Sequence, residues 1–359
     1  PVPIICGFQS AAASTGSSVT ISGANFSPLA TNDVVYFGPV RATVTSATAS
    51  NLFVTVPKGA MYGPITLTVN GLVAYSVGRF EPTFGGNGGP LNASNFVSRV
   101  NIPVPSGPQR LAIADFDGDG KPDVAVACIY ANNITLLQNI STSGSLDTNS
   151  FAAPVYFPFG NSGTDPYWLT AADVDGDGKI DLIAPDMASN QIWIYRNIST
   201  AGPLTTNSFA APVPFPTGSM PRNVIVRDFD GDGRPDIAVA NINDNTVSIF
   251  RNIGVAGVID TNSFAAPILL FTGSQPHDLA AGDLDGDGKP DLIVNNYTSP
   301  FISVFQNLSV PGTLTTNSFA ARVDLPAPTS CNSIIMGDLD GVGKQDILIG
   351  TAQGNNALS

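Results

Sequence analysis

One feature constrains this chain more than any other: a nine-residue aspartate loop that returns five times in register. It begins at Asp115, Asp173, Asp228, Asp283 and Asp338, a step of 58 residues once and 55 thereafter. A second marker, Thr-Asn-Ser-Phe-Ala-Ala-Pro, recurs around Phe151, Phe209, Phe264 and, ending in Ala-Ala-Arg, Phe319, with a degenerate copy at Ser94-Asn95-Phe96. Two independent markers sharing one period make residues 95–359 a repeat array.

Each unit reads as four short strands. In the first they are Leu111–Ala114, Val124–Ala127, Ile134–Gln138 and, after a Ser/Thr/Asn-rich connection, Val155–Phe157. Four strands in fifty-odd residues fit a propeller blade, close to the kelch length and above the WD40 length, whereas a calcium β-helix needs a far shorter period. Composition agrees. Gly (36) and Pro (29) punctuate short apolar runs, only 12% of residues are charged, and Glu, a preferred surface residue of helices, occurs once, at Glu81.

Residues 1–81 carry no repeat and read as a separate all-β unit. Candidate strands are Ser18–Ser22, Val34–Phe37, Arg41–Thr45, Leu52–Val56 and Pro64–Val69, with turns at Lys58-Gly59 and Asn70-Gly71. That density of short strands suits a small sandwich. The pattern GSSVTISGANF over Gly16–Phe26, VYFG over Val35–Gly38, VTVP over Val54–Pro57 and GPITLTV over Gly63–Val69 resembles the IPT/TIG immunoglobulin-like family. The resemblance implies a spacer or interaction domain and no chemistry. A Gly-rich stretch within 82–94 reads as a linker. The expected fold class is therefore all-β: an Ig-like sandwich followed by a propeller of four-stranded blades.

The loops carry carboxylates at positions 1, 3, 5 and 9: Asp115, Asp117, Asp119 and Asp123; Asp173, Asp175, Asp177 and Asp181; Asp228, Asp230, Asp232 and Asp236; Asp283, Asp285, Asp287 and Asp291. The fifth has Asp338, Asp340 and Asp346 but Val342 at position 5, so its site is expected to be weak or empty. Four such groups converge only if the chain curls tightly, which the Gly at position 6 permits. They repel one another unless a hard cation sits among them, and an all-oxygen cage completed by the position-7 carbonyl of Lys121, Lys179, Arg234 or Lys289 suits Ca2+. An EF-hand is excluded, because position 12, its bidentate Glu, is Val126, Ala184, Val239, Val294 and Ile349 here.

Loops of the form Asp-x-Asp-x-Asp-Gly-x-x-Asp leading into runs such as Asp123-Val-Ala-Val resemble the FG-GAP/VCBS repeat family, which includes the integrin α-subunit propeller. The resemblance implies structural calcium in the loop between the first and second strands of each blade, four strong sites and a weaker fifth. It implies further that the opposite face carries the connections before strand one and after strand two. The residues that vary there, Arg110, Tyr130, Tyr167, Trp168, Arg222, His277 and Tyr297, form a possible ligand face able to stack on and hydrogen-bond a sugar or a peptide. Five blades are fewer than the seven usual in that family, so the array is expected to be part of a larger ring, with two further repeats beyond Ser359. If five close the ring, a strand around Asn95–Val104 would complete the last blade.

Charge points inward. Of 27 Asp, 19 stand in the five loops; without them 9 acidic residues remain against the chain's 15 basic ones, so five divalent cations bring the formal charge from −13 to −3. Nucleic acid is disfavoured for want of a basic patch. No stretch is long and apolar enough to insert into a bilayer, and a processed or excised product is expected from the start at Pro1. Sites filled only at ~0.1 to 1 mM calcium argue for export to the cell surface or beyond. The three cysteines, Cys6, Cys128 and Cys331, lack metal-type spacing and read as buried free thiols.

Catalysis finds no support: there is one histidine, no Gly-x-Ser-x-Gly elbow and no acid/base pair outside the loops. His277 occupies a slot that other repeats fill with Gln, Tyr, Arg and Asn, and reads as a surface residue. The Asn-Ile-Ser and Asn-Ile-Thr triplets recur with the blades and read as turn chemistry. The expected function is a non-catalytic, calcium-stabilised extracellular binding or adhesion module with a protein or glycan ligand and the capacity for self-assembly. Such a module is expected as a segment of a larger cell-surface or filament protein; the alternative is a carbohydrate-binding propeller, either lectin-like or the accessory domain of a polysaccharide-degrading enzyme.

Overall fold

The computed structural model describes residues 1–85, 96, 98–142, 146–160, 166–340 and 344–352. Most of the expected linker, Asn95, Val342 and the chain end from 353 on lie outside the described residues. Apart from short 3-10 turns the regular elements of the described chain are all strands, and no helix among the described residues is long and apolar enough to cross a membrane.

Eight strands form the N-terminal module: β1 (Ile4–Gln9), β2 (Ala12–Ser14), β3 (Ser18–Ala24), β4 (Asp33–Phe37), β5 (Val40–Ala47), β6 (Asn51–Thr55), β7 (Gly63–Val69) and β8 (Leu72–Thr83). Their order is β1-β3-β6-β5-β4-β7-β8-β2, and β5 pairs with both β6 and β4, shifting register between Val44 and Ser46. The sheet thereby folds over on itself into two layers. Alternate residues point inward, Ile21, Leu52 and Val54 from one layer against Val35, Phe37, Leu67 and Phe80 from the other, all in one buried cluster. Asn70 and Gly71, at φ 50° and 80°, make the tight β7–β8 turn their sequence predicts.

Four complete blades follow. The first comprises β9 (Pro108–Ala114), β10 (Asp123–Cys128), β11 (Asn133–Leu137) and β12 (Val155–Pro158); the second β13 (Thr170–Ala172), β14 (Asp181–Asp186), β15 (Gln191–Tyr195) and β16 (Val213–Pro216). The third comprises β17 (Pro221–Arg227), β18 (Asp236–Asn241), β19 (Thr246–Phe250) and β20 (Ile268–Phe271); the fourth β21 (Pro276–Gly282), β22 (Asp291–Asn296), β23 (Phe301–Phe305) and β24 (Val323–Pro326). The fifth is described by β25 (Cys331–Gly337) and β26 (Asp346–Thr351). Each four-stranded blade is an antiparallel meander with its first strand at one edge and its fourth at the other.

The second strands lack apolar/polar alternation for a physical reason. Both of their faces are covered by neighbouring blades, so β14, β18 and β22 are buried at every position. Core clusters sit between consecutive blades: Ile183, Ile194, Val224 and Val239 join the second to the third, and Ala240, Val247, Leu279 and Val294 the third to the fourth. The outer strands are only four residues long and three end in Pro, which blunts those edges.

The recurring Phe and Asn fasten each blade to the one before. Phe209, of the second unit, packs edge-on against Phe116 and Phe157 of the first at 5.9 and 5.4 Å, and Phe319 meets Phe229 at 6.1 Å. Burying such a ring contributes on the order of 2 kcal/mol. Ile102 and Val104, which a ring closed by five blades would use to complete the last blade, instead pack beside Val126 and Cys128 of the first, with no strand assigned over 98–107. Cys6 is exposed, contrary to its reading as buried, because β1 turns that side chain outward; Cys128 and Cys331 are buried, and none of the three forms a disulfide.

Candidate metal centres and the opposite mouth

In each unit the aspartate loop is the turn from the blade's first strand to its second, and its backbone conformation follows from two glycines. Gly118 and Gly120 stand at φ 75° and 84°, and the next three loops repeat the pair, so position 4 as well as position 6 needs the left-handed region. The curl brings positions 1, 3 and 9 together: one carboxylate oxygen each from Asp115, Asp117 and Asp123 lies within 4.8 Å of the others, and likewise Asp173, Asp175 and Asp181, Asp228, Asp230 and Asp236, Asp283, Asp285 and Asp291, and Asp338, Asp340 and Asp346.

Position 5 stands outside these triads. Asp119 accepts from the Lys121 amide at 2.8 Å and pairs with its ammonium at 3.0 Å; Asp177, Asp232 and Asp287 likewise accept from the amides of Lys179, Arg234 and Lys289. Position 9 is the structural hub. Asp123 accepts from the Phe116 amide (3.0 Å) and the Asn139 amide (2.7 Å), Asp181 from Val174 and Asn197, and Asp236 from Phe229 and Asn252. One carboxylate thus ties its own loop to the end of the third strand. At position 1, Asp115 and Asp173 accept from the amides of Gly120 and Gly178 through Oδ2, and each leaves a buried Oδ1 without a partner.

The residues fit a hard cation. Burial, reinforced by neighbouring aspartates, pushes Asp115 up to about 6, Asp173 and Asp228 to about 7 and Asp123 to about 8. Clustered oxygen-only donors, with a buried and unpartnered oxygen at Asp115 and at Asp173, are what a divalent ion relieves.

Sequence reasoning missed the residue before each recurring Asn. Gln138 and Gln306 donate to Asp117 and Asp285, whereas Arg196 and Arg251 donate to Asp175 and Asp230 and also reach Asp177 and Asp232. The position is visible in the repeat as Gln, Arg, Arg, Gln. The second and third loops therefore carry a built-in positive charge that the first and fourth lack.

The N-terminal module seats on this loop face. Pro39 O accepts from the Asp115 amide at 3.0 Å, Tyr36 Oη donates to Gly178 O at 2.9 Å, Thr68 Oγ1 donates to Asp173 Oδ2 at 2.8 Å and the Val73 amide donates to Gly233 O at 2.6 Å. Nothing in the sequence announces these contacts.

At the other end of the first strands, β-bulges shift the register between Pro221 and Val224, Pro276 and Asp278, and Cys331 and Ser333. The variable residues gather there. Arg110 lies 3.4 Å over the Trp168 ring and Arg222 4.9 Å over Tyr167. Arg222 also sits 2.8 Å from His277 Nδ1 and donates to Asn332 Oδ1 at 3.0 Å, while its Nε is buried without a partner. His277, read as a surface residue, is 8% exposed, stacked on Tyr297 with ring centroids 4.3 Å apart. The bulge turns it in under Arg222. Tyr130 is 80% exposed and stands beside Gly107. A cavity of about 540 Å³ between the first strands is lined by Arg110, Trp168, Asn223 and Asp278 and, from the N-terminal module, by Tyr36 and Tyr75.

Comparison with known proteins agrees with this architecture. The model of the FG-GAP-like repeat matches residues 115–184, 173–239 and 228–294, together half of the chain, and the IPT/TIG domain model matches residues 3–82. The chain belongs to the FG-GAP-like repeat family and carries an N-terminal IPT/TIG domain. No curated protein matches it. Among solved structures it is similar to an auxiliary nutrient binding protein from Bacteroides thetaiotaomicron (11% identity, TM-score 0.32, covering 97% of this chain and 95% of that one). It is also similar to an Agrocybe aegerita lectin specific for non-reducing terminal N-acetylglucosamine (16%, 0.43, 88% and 83%) and to a Bacteroides thetaiotaomicron protein described as a phosphatase (13%, 0.32, 99% and 98%).

Proposed function

We propose that this chain is a non-catalytic, calcium-stabilised binding or adhesion module that works outside the cell or at its surface. One observation carries the reading: five carboxylate triads recur at the same strand-to-strand turn, and two of them hold a buried carboxylate oxygen with no partner. The chain's own residues supply the rest. The first-, third- and ninth-position aspartates would hold the ion, with the fifth-position group swinging in, and the ninth would keep the loop on its blade. Calcium would supply the positive charge that lets the loops stay folded while ionised. Extracellular calcium fills sites of ~0.1 to 1 mM affinity and cytosolic calcium does not, which supports export.

Metal content and thermal unfolding, with and without a chelator, test the proposal. Four to five calcium ions per chain and a large loss of stability on chelation support it; a chain with no bound calcium and no shift overturns it.

The ligand would sit at the mouth opposite the loops, a reading supported by Arg110 and Arg222, which are propped on aromatic rings and meet no salt-bridging carboxylate among the described residues. That chemistry favours a partner rich in oxygen acceptors, and it keeps a carbohydrate ligand as the second reading. Glycan-array binding that is lost on Trp168→Ala or Tyr167→Ala supports the carbohydrate reading, and binding to protein alone rejects it.

A further inference from the structure

The second aspartate loop differs from the others in what covers it. Asp173 is 7% exposed, and Thr68, from the N-terminal module, donates to the same Oδ2 that accepts from the Gly178 amide. Tyr36, 3% exposed, holds the Gly178 carbonyl, so two residues of one module grip both ends of a single curl in the other. The fit is flush. A Cβ on Gly176 would lie 2.3 Å from Gly71 O, and one on Gly178 would lie 2.9 Å from Val34 Cγ2. Cover falls away along the array: the triads of the first two loops are buried throughout, and in the fourth only Asp291 is.

We propose that the second loop is a shared cation site closed from above by the N-terminal module, so that filling it and seating the module are one equilibrium. The inference rests on the calcium reading above. Emptied, the cluster leaves Asp173 Oδ1 buried without a partner beside Asp175 and Asp181, and the loop relaxes most readily by moving the glycines that touch Gly71 and Val34. The module then loses the surface it sits on. Seated, it keeps water from Asp173 and blocks the ion's way out. By linkage, each event favours the other to the same extent.

The full chain, loaded with calcium and mixed rapidly with an excess of fluorescent chelator, tests this. The ions of the buried first and second loops leave at least tenfold more slowly than the exposed fourth-loop ion, and Thr68→Val speeds the release of one of those two only, by roughly three- to tenfold for one lost hydrogen bond. Small-angle scattering gives a second readout: Asp173→Asn expands the chain while the other ions stay bound, and Asp283→Asn does not. A single release rate for every ion, a slow phase indifferent to Thr68→Val, or an Asp173→Asn chain as compact as the wild type overturns the proposal while leaving the calcium reading intact. A chain that binds no calcium overturns both.

Discussion

The side-chain amide of Asn197 donates to the carbonyl of Phe116 at 2.9 Å and to that of Ile180 at 3.0 Å, so the end of one blade's third strand clasps the aspartate loop of the blade before it. Ser199 Oγ adds a third bond, to Phe116 O at 2.7 Å. Asn252 and Asn307 repeat the clasp on Val174 and Phe229. Asn197→Ala takes the side-chain donor from the Ile180 carbonyl and leaves the Phe116 carbonyl to Ser199 Oγ alone, and is expected to cost about 1 to 3 kcal/mol. Urea midpoints against Ile198→Ala, at the half-exposed neighbouring position, check this; equal midpoints would remove the clasp from the account.

Gly178 and Gly288 are twins in conformation, at φ 83° and 86°, but only Gly178 has another module against it. Alanine at either position pays on the order of 1 to 2 kcal/mol for the left-handed backbone. Gly178→Ala should lose at least 1 kcal/mol more, because its methyl meets Val34. Melting temperatures of the two variants decide the matter, and equal losses would mean that the module does not press on the loop in solution.

Removing metal should weaken every blade. If each site binds at ~0.1 mM, raising calcium to ~1 mM contributes about 1.4 kcal/mol per filled site. The unfolding midpoint should climb with calcium and not with equimolar potassium, as a titration followed by circular dichroism would reveal. Arg196→Gln and Arg251→Gln, which remove a resident positive charge from the second and third loops, should each tighten calcium binding there, roughly tenfold.

Burial, and then the charge of Arg222, pushes His277 down from 6.5 to about 4. Because the folded value is depressed, the neutral imidazole contributes stability above pH 6.5 that is lost as the pH falls from 6.5 toward 4. At pH 5 the loss is roughly 2 kcal/mol relative to His277→Asn. Asp278, pushed up to about 6 by burial, works in the opposite sense over the same window, so only the paired comparison isolates His277. As the chain's one histidine, it gives an unambiguous proton resonance, and a midpoint near 6.5 would contradict its placement.

Much of this fold was legible because repetition amplifies weak signals. The strand pattern, the turn glycines and the aspartate loops each occur in several copies, and β9 to β12 fall within a few residues of their expected ranges. The first module was legible through alternation and the Asn70-Gly71 turn. What stayed hidden has one copy and no period. Thr68 and Asp173 are 105 residues apart and each looks ordinary in its own strand or loop. His277 was misread because a slot filled by polar residues looks like surface, whereas the bulge before Asp278 folds the ring inward. The Gln/Arg alternation before each Asn was in view, and only the structure tied it to the third-position aspartate.

The clasp between blades also sets an order in time. Phe116 waits for Asn197, 81 residues downstream, and Phe229 waits 78 residues for Asn307. On a ribosome, where the chain emerges from its N-terminus, a blade's loop can fold on its own blade at once, but the clasp over it can form only after most of the following unit has been made. Each blade is finished by its successor, and a chain halted in mid-synthesis carries one unlatched loop at its growing end.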